Sequence, residues 1–154
     1  MRIEDEIKQE TFRSPLHRLL VNLMFTNNWL CDSQMRLLKP YDVTLPQYNV
    51  LRILRGQHPK PVKINDITER MLDKMSNASR LVDKLVGKKL VLRNECPSDR
   101  RAVDVVITEK GLALLKQIDV AQEGWERQFD GYTEPNADQL NALIDDFRSR
   151  ATDD

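Results

Sequence analysis

Apolar residues recur at helical spacing from Leu16 onward: Leu16, Leu19, Leu20, Leu23 and Met24, then Trp29, Leu30, Leu37 and Leu38, until Pro40 stops the run. Ser14-Pro15 supplies an N-cap and a first-turn proline whose missing N–H costs nothing. The pattern predicts a helix of about seven turns, preceded by a mostly charged and polar stretch from Met1 to Phe12. Thr44-Leu45-Pro46-Gln47 reads as a capping box opening a short second helix, with Tyr48, Leu51 and Leu54 on one face and an end near Gly56. After a loop from Gln57 to Lys63 containing Pro59 and Pro61, Asn65 is the expected cap of a third helix whose Ile67, Met71 and Leu72 face inward. Lys74-Met75 is the expected turn and Ser76 the expected cap of a fourth helix. There Ala78, Leu81, Val82 and Leu85 stand at i, i+3, i+4 and i+7, the spacing of one buried stripe.

At about 100° per residue, Ser76, Ser79, Arg80, Asp83 and Gly87 point away from that stripe, with Asn77 and Lys84 on its flank. Val91 to Asn94 and Ala102 to Ile107 then read as antiparallel strands. Val103, Val105 and Ile107 alternate on one face, and Pro97 keeps the tip out of the ladder. Thr108 is the expected cap of a fifth helix with Leu112, Leu115, Ile118, Trp125 and Phe129 on its apolar side. After a break at Gly131 to Pro135, Leu140, Leu143, Ile144 and Phe147 repeat the helical spacing in a sixth. The fold expected is mainly α with a small β-wing: a winged helix-turn-helix with N- and C-terminal dimerisation helices. In such an architecture the helix before the wing enters a major groove and the wing tip reaches the flanking minor groove or phosphates. The first, fifth and sixth helices carry more apolar surface than so small a reading head can cover, which predicts a two-fold dimer addressing two half-sites.

The length of 154 residues suits one domain spanning 1–154. Within it, 44–108 is the expected DNA-binding winged helix-turn-helix, and 12–39 and 109–150 are the expected dimerisation helices. Lys plus Arg and Asp plus Glu number 24 each, so no global positive field marks a nonspecific polyanion binder. The charge is unevenly placed. Ser76 to Arg101 holds seven basic residues against three acidic, a net +4, whereas Asp119 to Asp154 holds three basic against ten acidic, a net −7. That asymmetry presents the reading head to phosphate and turns the acidic end away.

Cys31 and Cys96 are 65 positions apart, without a CxxC pattern, and His17 and His58 form no ligand spacing with them. A metal site or cofactor is therefore not expected. An enzyme would need a nucleophile with its base, paired carboxylates, a metal cluster or a phosphate-cradling glycine loop, and the sequence shows none. No leader or apolar run of about 20 residues points to a membrane, and a cytoplasmic protein with reduced thiols is expected.

Three stretches, in this order, resemble the multiple-antibiotic-resistance regulator (MarR) family of bacterial transcription factors. They are Leu45-Pro46-Gln47 with Val50-Leu51, Ser79-Arg80-Leu81-Val82-Asp83-Lys84-Leu85, and Asp99-Arg100-Arg101 with Ile107-Thr108-Glu109-Lys110-Gly111. The resemblance runs from Ser14 to Phe147. It implies a homodimer that binds an inverted repeat in double-stranded DNA, usually represses nearby genes, and is commonly released by a small phenolic, lipophilic or oxidising signal. One departure is local: the family usually has glycine just before the Leu-Val that opens the wing, and here Lys89 stands there, with the glycine at Gly87. Either the helix end is shaped differently or Lys89 accepts a left-handed backbone.

Arg80 is the expected base reader, since a guanidinium bonds guanine in a bidentate manner, with a phosphate-only contact as the alternative. Ser76, Asn77 and Ser79 are further candidates at the groove, and Lys84 and Lys88 at phosphate. Asp99 and Arg101 form a wing salt bridge that leaves Arg100 to enter the minor groove, or the two arginines exchange roles. Cys96, beside Arg93 and Arg100, is an oxidation sensor or an incidental thiol, and Cys31 a packed residue. His17, Trp29, Tyr41 and Tyr48 are candidates for a pocket holding an aromatic or lipophilic effector, against ordinary core packing. The competing function is a winged-helix docking module for another protein.

Overall fold

The Ser14 hydroxyl accepts the His17 N–H at 3.1 Å, and Pro15 takes the first helical position. The long helix therefore starts where the local sequence places it. The computed structural model describes residues 1–96 and 99–150, with side chains outside 95–102. In it α1 (Ile3–Ile7) precedes α2 (Pro15–Leu38). Pro40 ends α2 in a 3-10 turn, and Thr44 opens α3 (Leu45–Arg55). The capping box is complete: Gln47 N–H donates to Thr44 Oγ1 at 3.4 Å and Thr44 N–H to Gln47 Oε1 at 3.2 Å.

Next come β1 (Val62–Lys63), α4 (Ile64–Arg70), α5 (Ala78–Gly87), β2 (Val91–Cys96), β3 (Asp99–Ile107) and α6 (Glu109–Glu126). The sheet is antiparallel in the order β1-β3-β2, with Val62 opposite Val105 and Val91 opposite Ile107. A register shift falls at Glu95/Cys96. The alternation of β3 holds: Val105 and Ile107 are buried and Val103 packs against the same core. Both strands run further toward the tip than their apolar pattern, and β1 is an addition to the two-stranded wing expected.

The chain divides into two units, Met1–Ile118 and Asp119–Asp154. The core of the first gathers Leu38, Leu51, Leu54, Ile67, Val82, Leu85, Val91, Val105, Leu115 and Ile118, all essentially inaccessible to water. A leucine buried to this degree contributes about 1.5–3 kcal/mol; truncating Leu85 to alanine, which also leaves a cavity, would cost about 2–5 kcal/mol. In the second unit Trp125 and Phe129 meet edge to face with centroids 5.1 Å apart, and α7 (Glu134–Ser149) carries Pro135 in its first turn. Leu140 and Leu143 of α7 are exposed.

Three local expectations are corrected. Asn65 lies inside α4, whose N-cap is Lys63 without a side-chain cap bond. Leu72 faces solvent at 89% exposure, because α4 ends at Arg70 and Met71 is extended, so the helical period on which Leu72 was placed has stopped. The cap of α5 is Asn77, not Ser76. Among the described residues no helix is long and apolar enough to cross a membrane. Nor, among them, does any group of three or more His, Cys, Asp or Glu suit a metal ion.

Candidate nucleic-acid interface

The helix proposed to read bases begins with a side-chain cap. Asn77 Oδ1 accepts the Arg80 N–H at 3.0 Å, so the first turn of α5 is fixed at the residue expected to touch a base. Ala78, Val82 and Leu85 turn inward, while Arg80, Asp83 and Lys84 are exposed and Ser79 is half-buried. The amphipathic division of α5 thus leaves its polar face open at the N-terminal end, where a recognition helix makes its base contacts.

Ser76 belongs to the preceding turn. Its hydroxyl donates to Asp73 Oδ2 at 2.7 Å, and Met75 N–H donates to Asp73 Oδ1 at 2.9 Å. These two donors, the hydroxyl more than the amide, hold the Asp73 carboxyl below the ordinary aspartate range. Leu72 N–H donates to Asn49 Oδ1 of α3 at 2.9 Å. The turn between α4 and α5 is therefore pinned at both ends. Asp73-x-x-Ser76 is a local capping pattern that the sequence carries openly; its partner Asn49 is not foreseeable from spacing.

At the other end of α5, Leu90 N–H donates to Leu85 O at 3.0 Å and Lys89 N–H to Val86 O at 2.9 Å. This is a Schellman closure, and it requires a left-handed residue at Lys89, whose φ is 62°. Of the two arrangements open to the sequence, Lys89 adopts the left-handed one. Thr108 then joins helix, wing and α6. Its Oγ1 lies 3.0 Å from Leu90 O and accepts the Gly111 N–H at 3.1 Å, so Thr108 caps α6 as expected. Arg93 of β2 ion-pairs with Asp83 of α5. Neither member of that pair was expected to serve the other.

Lys88 sits apart from the open face. It caps the C-terminus of α5, and its Nζ is 3.0 Å from Asp42 Oδ2. The side chains of Asp99, Arg100, Arg101 and Cys96 lie outside the described residues, and with them the expected wing salt bridge. The same holds for Pro97.

The sequence profile of the MarR family matches residues 43–103, which run from just before α3 into β3. An HTH-type transcriptional repressor of Pseudomonas putida, IacR, is 31% identical over 143 residues, or 92% of this chain and 80% of that protein. The chain belongs to the MarR family. A MarR transcription factor from Planctomyces limnophilus shares the fold at a TM-score of 0.65 and 30% identity, over 90% of this chain and 98% of that one. A cysteine-to-serine variant of Escherichia coli MarR, solved with operator DNA, matches at a TM-score of 0.69 and 24% identity, over 87% and 99% of the two chains.

Of the four residues expected around an effector in this MarR-family chain, Trp29 and Tyr41 line two different cavities. Trp29 lines a cavity of about 330 Å³ with Ile3, Asn22 and Phe25, where α1 lies on α2. Tyr41 lines another of about 380 Å³ with Asp42, Lys88, Lys110 and Leu114. Tyr48 is buried in the core, its hydroxyl accepting from Arg52 at 3.0 Å, and His17 packs edge to face on Phe12. Cys31 is half-buried, with Sγ 4.0 Å from Asn27 Oδ1.

Proposed function

We propose that this chain is a dimeric, sequence-specific DNA-binding transcriptional regulator, a repressor acting in the cytoplasm and without enzymatic activity. The observation that carries the reading is Arg80: an exposed guanidinium on the first turn of a helix whose start is fixed by Asn77. Membership of the family supports it, as do the repressor of Pseudomonas putida and the operator-bound E. coli protein. Residues 44–108 form the reading head, with Arg100 and Arg101 of the wing at the minor groove or phosphates and Asp99 steadying one of them. Ser76, Ser79 and Lys84 accompany Arg80 at the groove.

Residues 12–39 and 109–150 form the dimerising helices. The exposed stripe of Leu16, Leu19, Leu20 and Met24 along α2 supports this, since a second copy would remove it from water. A small aromatic or lipophilic ligand releases the protein from DNA, and the cavities beside Trp29 and Tyr41 are the places offered to it.

The experiment is selection of genomic fragments by the full-length protein at near-physiological salt. Enrichment of an inverted repeat with half-sites about one helical turn apart is expected. On that repeat Arg80→Ala should weaken binding by about 1–3 kcal/mol and relax one base position. Equal losses on random DNA would remove Arg80 from base reading. No enrichment by a folded dimer would overturn the function itself.

A further inference from the structure

Two large apolar side chains stand almost wholly in water on the turn that leads into α5: Leu72 at 89% exposure and Met75 at 93%. Single exposed apolar residues are ordinary. These two differ in sharing one turn whose backbone is fixed on both sides, Leu72 through Asn49 Oδ1 and Met75 through Asp73 Oδ1. The Ser76 hydroxyl closes the same turn onto Asp73. A pinned turn fixes the points from which its side chains project, so that contact has only their rotamers left to order.

The turn also has a defined place relative to the proposed groove. Met75 is two residues before the Asn77 cap, and the N-terminal end of a recognition helix is the part that descends onto base edges. Lys74 precedes Met75 directly and Arg80 stands exposed on the first turn of α5, two cations that draw phosphate to this corner. The one carboxylate on the turn, Asp73, is met by the two donors of its own loop. An apolar side chain delivered to a major-groove floor meets one apolar feature there, the 5-methyl group of thymine.

We infer that Met75, seconded by Leu72, reads thymine methyl groups in the major groove, setting a T·A preference beside the base read by Arg80. The inference rests on the DNA-reading function proposed above. It assigns these residues a specificity role that no hydrogen-bond census would find, because they have no polar side-chain atom to pair.

The test uses the selected operator with deoxyuridine replacing thymidine one position at a time, which removes a methyl and leaves the pairing edge intact. At one position in each half-site, loss of the methyl should weaken the wild-type protein about three- to fivefold, the worth of one buried methyl. Met75→Ala should weaken binding to the thymine operator by a similar factor and lose nothing more when uridine is introduced, while Met75→Leu should keep the methyl preference. Because both side chains are exposed, these variants fold as the parent does. If every uridine position costs Met75→Ala, Leu72→Ala and wild type alike, while Arg80→Ala still relaxes its own base, the methyl reading is wrong and the DNA reading stands. If the wild-type protein prefers no operator over random DNA, both fall together.

Discussion

Arg93 of β2 and Asp83 of α5 form an ion pair that ties the wing to the outer face of the helix proposed to read DNA. Both side chains are partly exposed, so the pair is worth at most about 1 kcal/mol in stability. Its larger effect is on charge. Arg93 would reach the proposed interface already matched, whereas Lys84, exposed on α5 beside Asp83, does not share that partner. Lys84→Ala is therefore expected to lower the salt slope of DNA binding by about one, and Arg93→Ala to leave it nearly unchanged. Affinities measured across a salt series decide the matter. An equal drop for both variants would mean that Arg93 leaves Asp83 for phosphate on binding.

Lys89 occupies the left-handed position of the Schellman closure, where glycine is the usual occupant. A side chain there costs about 1–2 kcal/mol in backbone strain, of which glycine's greater freedom when unfolded returns about 0.5–1 kcal/mol. Lys89→Gly should raise stability by up to about 1.5 kcal/mol on this balance. Equilibrium denaturation, read as a midpoint shift at constant slope, would reveal it. A loss of stability would show that the lysine side chain contributes more than the strain it imposes.

What the sequence discloses here is what neighbours in sequence decide. Thr44 and Gln47 are three residues apart and form their box wherever the chain goes; Ser14 with Pro15 and Thr108 behave likewise. The cap of α5 was equally local, but its sequence signal was passed over: Asp73 stands three residues before Ser76. Ser76 and Asn77 are both good caps, and Asp73 decided between them by taking the Ser76 hydroxyl. Leu72 was misplaced because apolar spacing does not reveal that α4 stops at Arg70. Five-residue α1 and two-residue β1 are too short to show a period, and each exists through a distant partner: Arg18 for Glu4, and Val105 for Val62. That Trp29 and Tyr41 line different cavities was likewise hidden, since which residues share a cavity is a tertiary fact.

α1 has its own pH response. The Arg18 guanidinium, donating to Glu4 at 2.6 Å, and then the Glu4 backbone amide hold this carboxyl at about 2 against an ordinary 4.5. The pKa is depressed on folding, so the stabilisation is complete above about pH 4.5 and is lost as pH falls toward about 2. Ile3 of α1 and Trp29 of α2 line one cavity, which makes the indole a reporter of this docking. In a Trp125→Phe background, Trp29 emission should change between these two pH values, and Glu4→Gln should abolish that step while leaving any global acid transition. A step that persists in Glu4→Gln would assign it to another carboxylate.

Gly111 and Gly87 should respond to alanine with opposite signs, although both lie in helices where alanine is intrinsically better by about 1 kcal/mol. A Cβ on Gly111 would fall within 3.0 Å of the Leu90 carbonyl oxygen and 2.7 Å from Ile107 Cγ1. Neither neighbour can retreat cheaply. Leu90 O accepts the Thr108 N–H at 3.0 Å, and Ile107 is buried in the core. Overpacking of this kind costs about 1–3 kcal/mol, enough to outweigh the gain in helix propensity. A Cβ on Gly87 meets nothing within 4 Å. Gly111→Ala is thus expected to lower stability by up to about 2 kcal/mol, and Gly87→Ala to raise it by up to about 1 kcal/mol. Parallel denaturation curves of the two variants compare them directly. Stabilisation by both would mean that α6 can shift away from the wing, and that the close approach at Gly111 does not fix the distance between them.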